Sequence, residues 1–190
     1  MLGKTHFVVG ITTGLAVFHP KTLPELLLGT AASALGGVIS DIDIGTSDSH
    51  KDSDRILAAM LGVAAAVVAA DYYLDTNIYA RLLADSGAMR LVGGVTAFLL
   101  ICCYGKAQPH RGFMHSFAAL FMLCVCAAVI CPAAVPYFGA AYLSHLVLDL
   151  LNKKGEQLFW PQKKRLHAAS LFLFGLHFWT VGLNAEIPLQ

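Results

Sequence analysis

Charge is what this chain has least of. Only 13% of its 190 residues are Asp, Glu, Lys or Arg, about half the roughly 25% of a soluble domain. A surface so poor in charge is not one that water solvates all round. The formal net charge is +1, so there is no basic excess to hold a nucleic acid and no acidic excess to keep a segment disordered. Cys102, Cys103, Cys124, Cys126 and Cys131 all sit in apolar runs without a CxxC pair. That pattern excludes a disulfide framework and leaves them as small buried hydrophobes. A cleavable leader is also not expected. The start, Met1 to His6, carries one lysine and runs into a short apolar stretch with no small-residue cleavage signal, so the first helix is expected to stay in the mature protein. Repeats, low-complexity tracts and linkers are absent, and residues 1–190 read as one domain.

What the chain has instead is apolar length: 57% of its residues are hydrophobic and its mean hydropathy is +0.65. A bilayer core about 30 Å thick is crossed by roughly 17–25 apolar helical residues. Ile56–Tyr73, Met89–Gly105, Ser116–Cys131 and Leu166–Leu183 meet or approach that length. Thr5–Phe18, Pro24–Ser40 and Pro136–Leu151 are weaker, the first because it is short and the second because Gly29, Gly36 and Gly37 interrupt it. The expected fold class is therefore all-α, a polytopic transmembrane helix bundle of about seven segments, with a re-entrant first pair as the alternative.

Basic residues concentrate in cytoplasmic loops, which orients such a bundle. In the seven-segment arrangement, Lys4, Lys51, Arg55, Lys106, Arg111, Lys153, Lys154, Lys163, Lys164 and Arg165 fall on one side. Only Lys21, Arg81 and Arg90 fall on the other. The asymmetry puts the N-terminus in the cytoplasm and the C-terminus outside. Trp160-Pro161, followed by Lys163-Lys164-Arg165, reads as an interfacial anchor with a polybasic flank.

Four polar clusters map to the cytoplasmic ends of segments: His6; Asp41 with Asp43; His110 to Ser116; and His145 with Asp149 and Asn152. His145 and Asp149 are four apart, so on a helix they share a face. Ionisable groups within apolar segments are costly unless paired or coordinated, which makes them functional candidates. The alternative is a pair that only locks two helices together. Asp41 and Asp43 suit a divalent cation if the backbone there is extended. Asp48, Asp52 and Asp54 read as solvated, Ser116 as a helix N-cap, and Asn152 as a ligand or a C-cap beside Gly155. Arg111 is either a membrane-side anchor or a phosphate clamp through its planar fork of donors. His19, His167 and His177 read as structural or interfacial. Imidazoles mixed with carboxylates suit zinc, manganese or iron.

The HRGxxHS run at His110–Ser116 and the SHLxLDxxxxxG run from Ser144 to Gly155, with the WP and basic stretch after it, occur in order with the DxD at Asp41 and the Thr-His near the start. Together they resemble the YdjM-like family of inner-membrane metal-dependent hydrolases over most of the chain. Where that family's pattern has proline before the DxD, histidine after it and threonine before the last histidine of HRG, this chain has Ser40, Ile44 and Met114. His50 is the candidate replacement for the histidine. The resemblance implies a location in the cell inner membrane and a hydrolase label without a substrate. In motif style the chain is also similar to zinc-dependent phospholipases, which implies a phosphoester of a lipid.

The expected metal ligands are His6, Asp41, Asp43, His110, His115, His145 and Asp149, or a subset, around one or two divalent ions, zinc first. Arg111 and Asp149 are the candidate catalytic residues, Arg111 by stabilising phosphoryl charge. Expected partners are membrane lipids and a lipid or phosphoester substrate, with no nucleic acid. Two other functions fit the residues: a metal-ion or proton transporter, which needs polar groups across the whole membrane depth, and a structural or regulatory membrane protein without metal.

Overall fold

The computed structural model describes residues 3–43, 69, 72–74, 84–151, 155–162 and 164–166. Each delimited helix has a local reason for where it starts. After α1 (Gly3–Phe18) the chain turns into α2 (Leu23–Val38) through a reciprocal cap. The Thr22 hydroxyl accepts from the Glu25 N–H at 3.3 Å, and Glu25 Oε2 accepts from the N–H groups of Thr22 and Lys21. Pro24 in the first turn removes a donor that would have no partner there. Past Val38 the helix tightens into a 3-10 turn, Ile39–Asp43. Asp85 caps α3 (Ser86–Lys106) by accepting from the N–H groups of Gly87 and Ala88. Ser116 caps α4 (Phe117–Ile130) as its sequence position predicts, accepting from Ala119 N–H at 3.2 Å. A 3-10 turn, Pro132–Ala134, leads into α5 (Val135–Leu150).

The fold is all-helical among the described residues, which contain no strand and one isolated antiparallel bridge, Glu156 with Leu166. Two helices, Leu23–Asp43 and Ser86–Lys106, each of 21 residues, are long and apolar enough to cross a membrane. Five of the seven expected segments coincide with α1 to α5. Ile56–Tyr73 and Leu166–Leu183, apart from residues 69, 72, 73 and 166, lie outside the described residues, as does His50. The glycines that weakened the second segment on paper are its packing surface, since Gly29, Gly36 and Gly37 are all buried.

α1, α2 and α5 pack against one another, α3 packs on α4, and α4 joins the two groups through α5. Ile42, Phe113, Met114, Leu123, Phe138, Tyr142 and Leu146 fill the space between them. The outward faces of α3 and α4 remain apolar, with Leu91, Val92, Leu100, Phe121 and Val125 exposed. An apolar surface of that extent suits lipid better than water.

α1 and α2 approach so closely that a Cβ at Gly37 would lie 2.7 Å from the His6 carbonyl oxygen, and one at Gly10 would lie 2.9 Å from Gly37 Cα. Both neighbours are backbone, so relief requires moving a helix. Small residues at such crossings are the usual means of close helix approach in membranes. Gly37→Ala is expected to destabilise the protein by about 1–3 kcal/mol through overpacking and to displace His6. Thermal unfolding of the detergent-purified protein checks this, and an unchanged midpoint would refute the close approach.

Candidate metal centre

Three local devices bring the polar clusters together. The first is the 3-10 turn that ends α2. The backbone at Asp41 and Asp43 is not extended, as cation binding by a DxD pair would favour, but helical. With three residues per turn, positions two apart point about 120° away from each other. Asp41 accordingly faces His145 and His6, while Asp43 faces His110 and His115. One turn serves two sides of the cluster.

The second device is the loop before α4. Arg111 has φ 64°, in the left-handed region that costs a residue with a side chain about 1–2 kcal/mol. Its N–H donates to Asp43 Oδ2 at 3.2 Å and its carbonyl accepts from Gln157 N–H at 3.2 Å, which holds the strained backbone in place. The 3-10 turn Phe113–His115 then carries His115 inward to full burial. Tyr142 of α5 fastens this loop by donating its hydroxyl to the Met114 carbonyl.

The third device is the buried face of α5, on which His145 and Asp149 lie together as their spacing predicts. His6 enters from α1 and stacks on His145, with ring centroids 4.0 Å apart.

At the centre, His145 Nε2 and His115 Nε2 face each other at 3.4 Å. Asp41 Oδ1 is 3.6 Å from the former and 3.8 Å from the latter, and Asp149 Oδ2 is 3.6 Å from His115 Nε2. His6 Nε2 lies 3.3 Å from Asp149 Oδ1. The far nitrogens fix the tautomers. His145 Nδ1 is 2.8 Å from the Gly37 carbonyl, which can only accept, so Nδ1 carries the proton and Nε2 presents a lone pair. His115 Nδ1 points to Asp43 Oδ2 at 3.4 Å, a loose pairing that favours the same tautomer. Two lone pairs at that distance repel unless a cation or a proton lies between them.

Around this core stands a layer whose polar atoms already have partners. His110 Nδ1 donates to Asp43 Oδ1 at 2.9 Å, and His110 Nε2 accepts from Arg111 Nε at 3.3 Å. Arg111 Nη2 donates to Asp149 Oδ2 at 2.9 Å. The side chain of His110 is 37% exposed, whereas those of Asp41, Asp43, Arg111, His115 and Asp149 are at most 11%. Among the described residues, the cluster therefore opens at His110.

All seven expected ligands thus meet in one place, although His6 and Asp149 lie 143 positions apart (149 − 6) in the sequence. Three groups of three could each hold a metal ion, with ligand atoms within 4.8 Å of one another: His6, Asp41 and His145; Asp43, His110 and His115; and His115, His145 and Asp149. The membrane-anchor reading of Arg111 gives way, because its side chain is buried and ion-paired with Asp149.

Sequence reasoning missed Glu156. It lies in a loop otherwise rich in lysine, where a carboxylate is ordinarily solvated, yet it is 0% exposed. Gly155, with φ 63°, turns the chain back after α5, and the bridge to Leu166 holds it there. Burial pushes the Glu156 carboxyl up to about 9; repulsion from Asp149 adds to this and attraction to Arg111 opposes it. The signal available in the sequence was the glycine, placed one residue before a lone acid.

A search of the curated proteins and a search of the solved structures each returned no match. A family model, described as YdjM inner membrane protein, matches residues 1–187, almost the whole chain. With that match over helices long enough to cross a bilayer, the chain belongs to the YdjM inner membrane protein family.

Proposed function

We propose that this protein is a metal-dependent hydrolase of the inner membrane, with its site at the cytoplasmic face and a phosphoester or lipid-linked substrate. The observation that carries the reading is the mutual facing of His115 Nε2 and His145 Nε2 at 3.4 Å, flanked by Asp41 and Asp149 oxygens at 3.6–3.8 Å. Ligands about 2.0–2.1 Å from a tetrahedral zinc ion are separated from one another by about 3.3–3.4 Å. A shared proton would satisfy one pair of these atoms, whereas four converging donors fit a cation. Among the described residues buried His6 Nδ1 lacks a hydrogen-bond partner and Asp149 Oδ1 has only His6 Nε2 at 3.3 Å, which also marks the cluster as incomplete without a ligand.

His115, His145, Asp41 and Asp149 would hold the ion, with His6 adjacent. Asp43, His110 and the Gly37 carbonyl would orient the ligand imidazoles, as carboxylates and carbonyls behind metal-bound histidines commonly do. A divalent ion in such a site supplies Lewis acidity and activates water near neutral pH. Arg111 contributes the remaining element. Its Nη1 is buried and has no partner among the described residues, and its fork geometry suits a phosphoryl oxygen. Among the described residues the polar groups gather in one cluster of converging donors and not in a column through the bundle, which favours catalysis over transport.

Metal analysis of detergent-purified, zinc-supplemented protein tests the reading. Stoichiometric metal is expected; its absence would leave the cluster as a packing device.

The orientation belongs to the same proposal: seven spans, with Lys153–Arg165 cytoplasmic and Gln190 outside. Reporter fusions after residue 165 and at the C-terminus are expected to report opposite sides. Both on one side would remove the odd number of spans and the cytoplasmic placement of the site.

A further inference from the structure

We propose that Glu156 and Asp149 hold a second divalent cation, of the oxygen-preferring manganese or magnesium class, beside the ion at His115 and His145. The inference rests on the metal-site reading above and adds to it a residue and an ion.

Three buried oxygens carry the argument. Among the described residues neither Glu156 oxygen has a hydrogen-bond donor, although Glu156 is entirely buried, and Asp149 Oδ1 has only the His6 ring nitrogen at 3.3 Å. A buried carboxylate group without donors is among the costliest arrangements a protein can hold. The next residue, Gln157, donates its N–H to the Arg111 carbonyl, which sets this loop against the cluster, and the Glu156 carboxyl meets that of Asp149. Arg111 does not resolve the deficit. Its Nη2 is committed to Asp149 Oδ2, and Nη1 forms no hydrogen bond with either Glu156 oxygen.

Asp149 is placed to bridge. Its Oδ2 faces His115 Nε2 at 3.6 Å, on the side of the first ion, while Oδ1 faces His6 Nε2 at 3.3 Å. Oxygen donors favour manganese and magnesium, whereas imidazole pairs favour zinc, so the two positions differ in the ion they prefer. The alternative second position, at Asp43, His110 and His115, is less suited because both His110 nitrogens are engaged within the protein. Charge agrees once Glu156 has lost its proton to a bound cation. With neutral imidazoles, the carboxylates of Asp41, Asp43, Asp149 and Glu156 then outweigh the Arg111 guanidinium, a deficit that one divalent ion does not cancel. Two ions leave a small positive excess, which suits an anionic phosphoester. Paired ions that clamp both sides of a displacement are a recurring solution in phosphoester hydrolysis.

The test uses the full chain in detergent, saturated with zinc and then titrated with manganese(II) alone, followed by electron paramagnetic resonance. The wild type is expected to bind manganese. Glu156→Gln, neutral and nearly isosteric, is expected to lower manganese affinity at least about tenfold while zinc stoichiometry stays unchanged. Glu156→Asp, which keeps the charge on a shorter arm, is expected to fall between the two. It provides the comparison if the Gln variant fails to purify as a folded protein. Equal manganese affinity in the wild type and the folded variants overturns the proposal. A wild type that binds zinc but no manganese overturns it while leaving the zinc reading intact. Binding of neither metal overturns both.

Discussion

Alanine in place of His145 is expected to lower zinc affinity by more than about 100-fold, because loss of partners behind the ligands alone typically costs about 10–100-fold. The imidazole contributes Nε2 at the point where His115, Asp41 and the stacked His6 converge. His115→Ala and Asp41→Ala are expected to match it. Asp43→Asn should fall within the weaker range, since it disturbs the orientation of His115 and His110 and the hold on the Arg111 backbone rather than removing a ligand of the first ion. The graded series separates a metal centre from a packing cluster. His145→Ala also strips the Gly37 carbonyl of its donor, which costs about 1–3 kcal/mol whether or not metal is present. In a packing cluster, that loss of stability would appear without any loss of zinc. Zinc content measured beside thermal unfolding therefore decides. Wild-type zinc content in His145→Ala would refute the site.

Helices and ligands were legible in the sequence for different reasons. α3 and α4 follow from apolar length, and the start of α4 from its Ser116 cap, all of which are local signals. The i,i+4 spacing placed His145 and Asp149 on one face without knowledge of any neighbour. Convergence of His6, Asp41, His115 and His145 was legible only through topology, because like-sided helix ends in a bundle bring distant residues together. The direction of the DxD pair was not. Whether two alternate positions point the same way depends on whether the backbone is strand-like or 3-10, and Gly36 and Gly37 gave no sign that the helix would tighten rather than stop. Glu156 was hidden for a similar reason: its burial is created by a left-handed turn at Gly155 and a bridge to Leu166 ten residues on. Arg111 could be weighed only once its burial was known, since a guanidinium at a membrane edge ordinarily snorkels to water.

Arg111→Ala is expected to destabilise the metal-free protein by about 3–5 kcal/mol, the usual cost of leaving one partner of a buried ion pair uncompensated. The partner left behind is Asp149, whose Oδ2 would lose its 2.9 Å hydrogen bond from Nη2. The backbone adds a second effect that can be measured separately. At φ 64° a glycine is at ease and an alanine is not. Arg111→Gly should therefore be more stable than Arg111→Ala by about 1 kcal/mol, although both lack the guanidinium. Zinc should narrow the gap to wild type for both variants, because an ion on Asp149 replaces the missing positive charge and binding to the folded state raises stability by mass action. Unfolding followed with and without zinc in wild type, Arg111→Gly and Arg111→Ala gives the order directly. An Arg111→Ala variant as stable as wild type in the absence of metal would mean that Arg111 is a solvated anchor after all, and its proposed place beside the phosphoryl group would fall with it.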